Sequence, residues 1–331
     1  MVKTRHKQHV LISINPFAGA ASRRDEAFDL RAILCAAGLI AEINEDLGQT
    51  TENAIELHSQ GKLRALVGIG GDGTIAELLN RTPLGLPLAM FPRGTENLLG
   101  KFVGLNQASV EKMATTIING RSVALDAGRV TALTESPQNA QHSAPAEQTR
   151  SRLFALMAGF GFDADVVARV QAARSGHIRH LSYIKPILAS LRNYKYPKLS
   201  ISALESQDKA AKRIDARWLF VFNCPAYAGG LPISPHAKCS DGRLDYCTFS
   251  RGSTLMAIKY LTMVLAHVHA KHREVETGLA VRMRVESEEA VPIQIDGDPF
   301  GYTPAEIECL PGRMTLIVPR DLCSRMSQTA P

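Results

Sequence analysis

Three short motifs in the first third of the chain combine glycine with residues suited to binding phosphate or a metal ion. The most distinctive is Gly-Gly-Asp-Gly-Thr at residues 70–74, directly after the apolar run Leu63–Ile69. Glycines at a strand end let the backbone approach a bulky anion with its N–H groups exposed, and the following helix adds its positive end. An aspartate here would repel phosphate unless a divalent cation lay between them, so Asp72 implies magnesium. A tight turn capped by Asp-Gly explains the motif equally well.

The two neighbouring motifs favour the phosphate interpretation. Residues 15–19 read Asn-Pro-Phe-Ala-Gly and residues 91–97 read Phe-Pro-Arg-Gly-Thr-Glu-Asn, and each follows an apolar run. The set is neither the Walker phosphate loop nor the dinucleotide fingerprint, because it lacks Gly-Lys-Ser/Thr and the spacing Gly-x-Gly-x-x-Gly.

Alternating strands and helices are predicted to carry these turns. The predicted strands are His9–Ile14, Leu39–Ile43, Leu63–Ile69 and Leu86–Phe91, and the helices between them are residues 22–37, 51–59 and 75–80. Such alternation predicts an α/β domain whose parallel sheet is covered by helices on both faces. Ligands of these sheets bind outside the carboxyl ends of the strands. All three turns are expected at that edge.

The pattern changes to successive strands after about residue 120. Strands are predicted at residues 122–133, 152–157, 197–204, 217–222, 243–249, 280–285, 291–295 and 314–318, with a flexible loop at 134–148 and two or three helices between them. Many strands without regular helical crossovers predict an antiparallel β-sandwich. The expected organisation is an α/β domain at 1–123, a sandwich at 124–322 and a tail at 323–331.

Composition excludes several other classes of protein. The chain has 331 residues, of which 45% are apolar and 21% charged, and a net charge of +6. These values exclude global disorder, collagen and a coiled-coil rod. The six cysteines form no Cys-x-x-Cys pair, which argues against zinc-ribbon and thioredoxin-type sites. The basic N-terminus precedes an apolar run too short for a signal peptide, so we expect a cytoplasmic protein with reduced thiols.

The ordered motifs resemble those of the diacylglycerol kinase catalytic-domain family, which includes bacterial diacylglycerol and related lipid kinases and the sphingosine and ceramide kinases. The resemblance continues through the second half of the chain. Its later segments are Asp-Ala-Gly-Arg-Val at 126–130, Gly-Phe-Gly-Phe-Asp-Ala-Asp at 159–165, residues 223–245 from Asn to Asp, and Ile-Asp-Gly-Asp at 295–298. It implies an ATP- and magnesium-dependent kinase acting on a membrane lipid. In such a kinase residues 1–123 would bind ATP, the sandwich at 124–322 would bind the lipid substrate, and the site would lie in the cleft between the two domains.

The resemblance assigns ATP binding to the first domain, with Asp72 facing the catalytic magnesium. The implied nucleotide-binding residues are Asn15, Pro16, Gly19, Asn44, Gly70, Gly71, Asp72, Gly73, Thr74, Glu77, Gly94, Thr95 and Asn97. Asn44 stands where the family often has threonine, and an amide can replace that hydroxyl in a hydrogen bond. Leu98 stands where bacterial diacylglycerol kinases commonly have an aspartate of the magnesium network; sphingoid kinases also have an apolar residue there.

Asp298 is the candidate general base. A lipid hydroxyl is a poor nucleophile, so phosphoryl transfer requires it to be held in line while its proton is accepted. In the resembled family the acid at the third position of Asp-Gly-Glu/Asp is taken as this base, and Asp296 is the alternative catalytic acid. Asp-Gly is also a common β-hairpin turn, which explains the motif without catalysis.

The resemblance also implies a second, structural magnesium. Some bacterial members hold it through an aspartate and two backbone carbonyls, which correspond to Asp241, Lys238 and Arg243 in this sequence. Only main-chain oxygens of the two basic residues would coordinate. A plain Asp-Gly turn at residues 241–242 remains the alternative.

A basic, apolar stretch raises the question of membrane contact. Residues 166–204 contain no acidic residue and carry seven Arg or Lys between Arg169 and Lys198. Basic residues attract anionic lipid, although an amphipathic helix with a solvated basic face explains the pattern equally well. No motif for nucleic acid occurs. Two-domain members of the resembled family often pair through their sandwiches, which makes a homodimer possible.

The sequence therefore predicts a lipid kinase that phosphorylates diacylglycerol or a sphingoid or ceramide-type lipid. A soluble-substrate kinase similar to NAD kinase is one alternative, since NAD kinase shares the Gly-Gly-Asp-Gly turn and a two-domain plan. A non-catalytic protein that binds lipid or nucleotide is the other.

Overall fold

The structure is a computed structural model that describes residues 8–14, 21–133, 149–173, 184–206, 208–227 and 230–322. It divides into two compact units. The first comprises residues 1–125 and 312–331, and the second residues 126–311. The division differs from the expected domains because the chain returns to the first unit at Gly312, where the last strand joins the parallel sheet.

The first unit is a parallel sheet with helices between its strands, as predicted. Its elements are β1 (His9–Ile14), α1 (Ala21–Ala36), β2 (Ile40–Asn44), α2 (Leu47–Ser59), β3 (Leu63–Gly70), α3 (Asp72–Arg81), β4 (Pro87–Pro92), α4 (Leu98–Phe102) and α5 (Val110–Asn119). The order is β2-β1-β3-β4, and β4 pairs in parallel with the chain near Thr315. Nearly every side chain of β1 and β3 is buried, which explains their continuous apolar sequence.

The second unit is an antiparallel sandwich, again as predicted. Its elements are β5 (Arg121–Leu133), β6 (Thr149–Phe154), β7 (Met157–Phe160), α6 (Phe162–Ala172), α7 (Ile184–Asn193), β8 (Leu199–Leu204), β9 (Lys212–Ala216), β10 (Trp218–Phe222), β11 (Leu244–Phe249), α8 (Thr254–Leu265), β12 (Val275–Ala280), β13 (Arg282–Glu286), β14 (Pro292–Ile295) and β15 (Asp298–Val318), with β5 and β15 continuing into the first unit.

Two layers share the long strand β15. One has the order β12-β11-β10-β7-β14-β15, and the other contains β9-β8-β13-β15 with β5 and β6. Aromatic and aliphatic side chains of both layers, including Phe154, Phe160, Leu219 and Phe300, form one buried core.

Three predicted elements differ in the structure, two of them for identifiable reasons. Helix α2 begins at Leu47 rather than at residue 51, because the Asp46 side chain accepts the Gln49 N–H at 3.0 Å and caps the helix. The strand predicted at 152–157 is two strands, β6 and β7. The N–H groups of Ala155 and Leu156 between them donate to the Asp296 carboxylate. The strand predicted at 280–285 is likewise divided between β12 and β13.

The described residues contain no helix that is both long and apolar enough to cross a membrane. The predicted loop 134–148 and the tail 323–331 lie outside the described residues.

Candidate functional site

Two glycine-bearing loops of the first unit meet backbone to backbone at the carboxyl edge of the parallel sheet. Strands β3 and β4 end at Gly70 and Pro92, which are partners in the parallel register. A Cβ on Gly94 would lie 2.4 Å from the Cα of Gly71, and a Cβ on Gly71 would lie 3.0 Å from the Cα of Gly94. A side chain at Gly94 would therefore collide with main chain. The close approach of the two loops therefore requires glycine at residue 94, whether or not a ligand binds here.

Asp72, the first residue of α3, connects this crossing to helix α4. Its Oδ2 accepts the Leu98 N–H at 2.8 Å and its Oδ1 accepts the Leu99 N–H at 3.0 Å. Burial raises the pKa of the Asp72 carboxyl, and the two amides together with Lys101 offset that rise only in part. The ionised carboxylate is thus incompletely compensated, and a nearby cation would stabilise it.

The Asp72 environment fits a magnesium ion that arrives with phosphate. Each carboxylate oxygen has about two lone-pair sites, and one hydrogen bond to each leaves a position for coordination. Among the described residues, no group of three or more His, Cys, Asp or Glu side chains could hold a metal ion. Magnesium in kinase sites is typically bound by one or two carboxylates together with substrate phosphates. The residues present fit that mode of binding.

Asn97 closes the second glycine loop on itself. Its Oδ1 accepts the Gly94 N–H at 2.7 Å and its Nδ2 donates to the Gly94 carbonyl at 2.9 Å. Asn97 has a left-handed backbone, with φ of 50°, which asparagine adopts more readily than most residues. These contacts explain why the loop ends in asparagine.

Arg93 fixes the same loop from its other side, a contact that the sequence analysis missed. Its guanidinium forms two hydrogen bonds of 2.7 Å with Glu26 and one of 2.9 Å with the Ala108 carbonyl. It also lies 4.0 Å above the Phe91 ring. Arg93 is therefore engaged within the fold, and the 67-residue separation from Glu26 left no local signal for the pair.

Most of the other predicted nucleotide-binding residues lie at the same edge. The Thr74 N–H donates to the Gly71 carbonyl at 3.0 Å, while Gly73 and Thr95 are exposed. Glu77, one turn into α3, pairs with Arg81 at 2.6 Å.

Asn44 ends strand β2, and its side-chain oxygen accepts the Asp46 N–H at 2.9 Å. Asn15, Pro16 and Gly19 lie outside the described residues. Strand β1 ends at Ile14 opposite Ile69, so the chain leaves the sheet toward them at the expected edge.

In the second unit, the Asp-Gly turn at residues 296–297 is the predicted two-residue β-hairpin between β14 and β15. Ile295 pairs with Asp298 across it, and Asp296 and Gly297 have φ of 50° and 87°. Two successive positive φ values are typical of a type I′ turn.

Within this hairpin the two candidate acids have different surroundings. Asp296 Oδ1 accepts the N–H groups of Leu156 and Met157 at 2.9 and 3.0 Å, and its Oδ2 accepts that of Ala155 at 2.8 Å. Asp296 therefore anchors the turn to the break between β6 and β7. The side chain of Asp298 is 42% exposed, and its Oδ2 lies 3.1 Å from the Arg152 guanidinium. Asp298 is thus the more accessible of the two carboxylates.

A hydrogen-bond network of Gln294, Asp163 and Tyr227 supports the hairpin. The Gln294 side-chain oxygen accepts the Gly297 N–H at 2.9 Å, and its Nε2 donates to Asp163 Oδ2 at 2.9 Å. The Tyr227 hydroxyl donates to the other oxygen of Asp163. Burial raises the pKa of the Asp163 carboxyl, and the Tyr227 and Gln294 hydrogen bonds oppose that rise. The sequence analysis placed Asp163 in a motif but assigned it no role; Gln294 and Tyr227 gave no signal.

The predicted structural magnesium residues lie in the loop before β11. Asp241 Oδ1 accepts the Arg243 N–H at 3.1 Å, and its Oδ2 lies 3.5 Å from the Arg243 guanidinium. Burial and then the charge of Asp241 raise the pKa of the neighbouring Asp245, and the Lys238 N–H, among other groups, acts in the opposite direction. The Asp-Gly turn is therefore present, and the charge of Asp241 within it acts on Asp245.

The chain matches two family models, in the same order along the chain as the predicted domains. The diacylglycerol kinase catalytic domain matches residues 9–130. The YegS C-terminal NAD kinase beta sandwich-like domain matches residues 157–318. An α/β unit with Gly-Gly-Asp-Gly at its carboxyl edge, combined with a β-sandwich, defines the class. The chain belongs to the diacylglycerol kinase catalytic-domain family, which makes it a lipid kinase by class.

Individual proteins agree with this assignment. The chain is 26% identical to a diacylglycerol kinase of Mycobacterium tuberculosis (strain CDC 1551 / Oshkosh) over 257 residues, 77% of each chain. It is 23% identical to a diacylglycerol kinase of Bacillus subtilis (strain 168), over 79% of this chain and 80% of the relative.

Solved structures share the fold. A diacylglycerol kinase from Bacillus anthracis str. Sterne superposes with a TM-score of 0.63 at 21% identity, over 97% of this chain and all of the other. Yeast NADH kinase in complex with NADH gives a TM-score of 0.50 at 11% identity, over 98% of this chain and 86% of the other. At these identities the likeness concerns the fold alone.

Proposed function

We propose that the protein transfers the γ-phosphate of ATP, with magnesium, to a hydroxyl group of a membrane lipid, either diacylglycerol or a sphingoid or ceramide-type lipid. The observation that carries the proposal is the meeting of the two glycine loops beside the partly buried Asp72 carboxylate. Such a place offers bare backbone N–H groups to phosphate and one incompletely compensated carboxylate to magnesium. Bound magnesium would neutralise charge on the phosphates.

The nucleotide would lie at the carboxyl edge of the parallel sheet. Gly71, Gly73 and Thr74 at the start of α3, with Gly94 and Thr95 of the second loop, would surround its phosphates. Asn15, Pro16 and Gly19 after β1, and Asn44 after β2, would complete the ATP site.

Asp298 would act as the general base. Arg152 engages Oδ2, and no described residue donates a hydrogen bond to Oδ1, which is therefore available to a lipid hydroxyl. As the hydroxyl oxygen bonds to the γ-phosphorus, its proton would pass to this carboxylate and the bond to the leaving ADP would break. The exposed side chain favours Asp298 over Asp296, whose oxygens bind three amides.

A second magnesium bound to Asp241 and to the carbonyls of Lys238 and Arg243 remains part of the proposal. The repulsion between Asp241 and Asp245, which raises the pKa of Asp245, supports it, because a bound cation would relieve that repulsion. In the cell we place the protein in the cytoplasm at the inner membrane surface, where the lipid substrate occurs.

Transfer of radiolabel from ATP to mixed vesicles of diacylglycerol, ceramide and sphingosine tests the activity. We expect a labelled lipid that depends on magnesium. Phosphorylation of NAD without labelled lipid would support the NAD kinase-like alternative, and ATP binding without any turnover would support a non-catalytic protein. Either result would contradict the proposal.

The substitution Asp298→Asn tests the base. General-base catalysis contributes about 10²–10⁴-fold, so turnover should fall by that factor while ATP affinity stays unchanged. Stability should also be retained, because a half-exposed ion pair contributes little and the amide oxygen can still accept from Arg152. Asp215→Asn is the matched control, since it removes a carboxylate from the exposed pair with Lys198 and should leave turnover intact. Wild-type turnover of Asp298→Asn would remove Asp298 from the mechanism.

A further inference from the structure

Helix α8 has an unusual surface, because apolar side chains occupy its outer face as well as its inner face. Ala257, Tyr260 and Val264 are buried toward the second unit. On the outer side, the exposed residues are Leu255, Ile258, Leu261 and Leu265. Their spacing of three, three and four residues places them along one face of the helix. We call these four residues the outer face of α8.

Two further exposed apolar side chains lie on α7, the helix that contacts α8. The Thr254 hydroxyl, at the start of α8, donates to the Leu191 carbonyl near the end of α7. Ile187 and Leu188 of α7 are exposed. Of the ten large apolar side chains that are exposed in the described part of the chain, seven lie on α7, α8 or at Val268 just beyond α8. Such clustering marks an interaction surface, whereas isolated exposed apolar residues need no explanation.

The charges around the outer face of α8 have one sign. Residues 184–204 and 250–273 contain eight Lys or Arg and no Asp or Glu. The acids that adjoin these segments are already paired: Glu274 with Arg251 and Lys259 at 2.9 and 3.0 Å, and Glu205 with Lys209 at 2.8 Å. Asp165, which accepts a hydrogen bond from Ser190 of α7, pairs with Arg169. The exposed cations without an ion-pair partner among the described residues are Lys185, Arg192, Lys195, Lys271 and Arg273.

On α7 the cations share a face with the exposed leucine. Lys185 and Arg192 are three residues before and four residues after Leu188, and helical geometry places such residues together. A leucine flanked by cations on one exposed helix face is the arrangement of helices that lie in the headgroup layer of an anionic bilayer. The apolar side chains enter the acyl boundary while the cations contact lipid phosphates.

We propose that the outer face of α8, with Ile187 and Leu188 of α7, docks the protein on an anionic lipid bilayer. The charge distribution favours this occupant over a second copy of the chain, because a symmetric contact would bring like-charged surfaces together and the adjoining acids are already paired within the chain. The inference rests on the proposed function, because a kinase of membrane lipids must meet its substrate at the membrane surface. Its physical test is independent of catalysis.

The test is binding to vesicles in the absence of nucleotide. Phosphatidylcholine vesicles with and without phosphatidylserine are mixed with the full-length protein and recovered by flotation. We expect binding to the phosphatidylserine vesicles, and this binding should weaken as the salt concentration is raised. Removal of one cation by substitution should lower the affinity about fivefold. The variant Lys185→Gln/Arg192→Gln should lose about fivefold in vesicle affinity for each of its two cations, and its binding should depend less on salt.

The double variant Leu255→Gln/Leu265→Gln tests the apolar contribution. Both side chains are already exposed, at 75% and 57%, so the fold should be unaffected, whereas vesicle affinity should fall about tenfold or more. The matched control is Phe28→Gln/Leu84→Gln, which removes two similarly exposed apolar side chains from the first unit and should bind as wild type does.

Two outcomes would overturn the docking proposal. One is equal vesicle binding by the wild type and Leu255→Gln/Leu265→Gln. The other is a dimer that this variant dissociates, seen by light scattering, while vesicle binding is unchanged. Failure of the proposed function is distinguishable, because it would abolish lipid phosphorylation and leave flotation intact. With a short-chain lipid dispersed in solution, the double variant should retain wild-type turnover, since docking is then unnecessary.

Discussion

Asp72 is the residue whose protonation state most directly links the fold to the proposed chemistry. Its carboxylate must be ionised to attract a cation, yet burial raises its pKa. A raised pKa in the folded state means that the unfavourable contribution of Asp72 to stability is present above that pKa and is relieved as the pH falls through it. Protonation of Asp72 should therefore reduce cation binding without itself unfolding the protein.

A pH profile at two magnesium concentrations tests this view. Protons and magnesium would compete for the Asp72 carboxylate, so the acid limb of kcat/KM should move to lower pH when magnesium is raised. At low magnesium, the limb should lie above the pH expected for an ordinary exposed aspartate. Circular dichroism over the same range is the control, because it should show folded protein where activity has already fallen. An acid limb that does not respond to magnesium would contradict the role of Asp72.

The ordered motifs and the family resemblance singled out Asp72 and Asp298, but they did not reveal how the acids are held. Leu98 was notable in the sequence only as a departure from an aspartate in the resembled family, whereas in the structure it acts through its main-chain N–H. A main-chain contact is compatible with almost any side chain, so a sequence pattern cannot record it. The same applies to Asp296, whose three partners are the amides of residues 155–157.

At the scale of the element, the strand ends were the most predictable feature. Continuous apolar runs followed by glycine located the carboxyl ends of β3 and β4, and parallel pairing then placed both loops at one edge. The mutual contact of Gly71 and Gly94 was not predictable, because it depends on loop geometry as well as on strand order. Likewise, Gln294 supports the hairpin through the Gly297 N–H and is itself held by Asp163, which is 131 residues away in the sequence.

Two alanine substitutions separate the structural need for glycine from a need imposed by the ligand. Gly94→Ala would place a Cβ 2.4 Å from the Gly71 Cα, and such overpacking costs about 1–3 kcal/mol of unfolding free energy. Gly73→Ala is the matched control in the neighbouring loop, since no atom lies within 4 Å of its Cβ position. Alanine there should keep or raise stability by about 0.5–1 kcal/mol.

Urea unfolding and ATP binding of both variants provide the readout. A stable Gly73→Ala protein with weakened ATP binding would indicate that the bound phosphate, rather than the packing of the protein, requires glycine at this position. Wild-type stability of Gly94→Ala would show that the close crossing of the loops is not needed for folding.

At the scale of the whole molecule, the first unit is built from two separate parts of the chain. The motif search located every proposed nucleotide-binding residue before residue 100, and it assigned the final strand to the second domain. That strand instead pairs in parallel with β4 through Thr315 and Leu316. An isolated apolar strand carries no signal of which sheet it joins, so this long-range pairing could not be derived from its sequence.

The discontinuity predicts that nucleotide binding depends on residues far from any motif. Met314, Leu316, Ile317 and Val318 are fully buried, and burial of such side chains contributes about 1.5–3 kcal/mol each. The total of roughly 6–12 kcal/mol is comparable with the whole stability of a typical domain, about 5–15 kcal/mol. Arg313 adds hydrogen bonds of 3.0 and 2.6 Å to the carbonyls of residues 79 and 82, at the end of α3.

Removal of residues 312–331 should therefore abolish ATP binding although every proposed nucleotide-binding residue remains in the chain. The control is removal of residues 323–331 only, which keeps the final strand and should leave ATP affinity and unfolding unchanged. Isothermal titration and thermal unfolding of the two truncated proteins distinguish the outcomes. If the longer truncation bound ATP as tightly as the full-length protein, the parallel sheet would be complete without its fifth strand. The buried side chains after residue 312 would then contribute far less to the first unit than their burial implies.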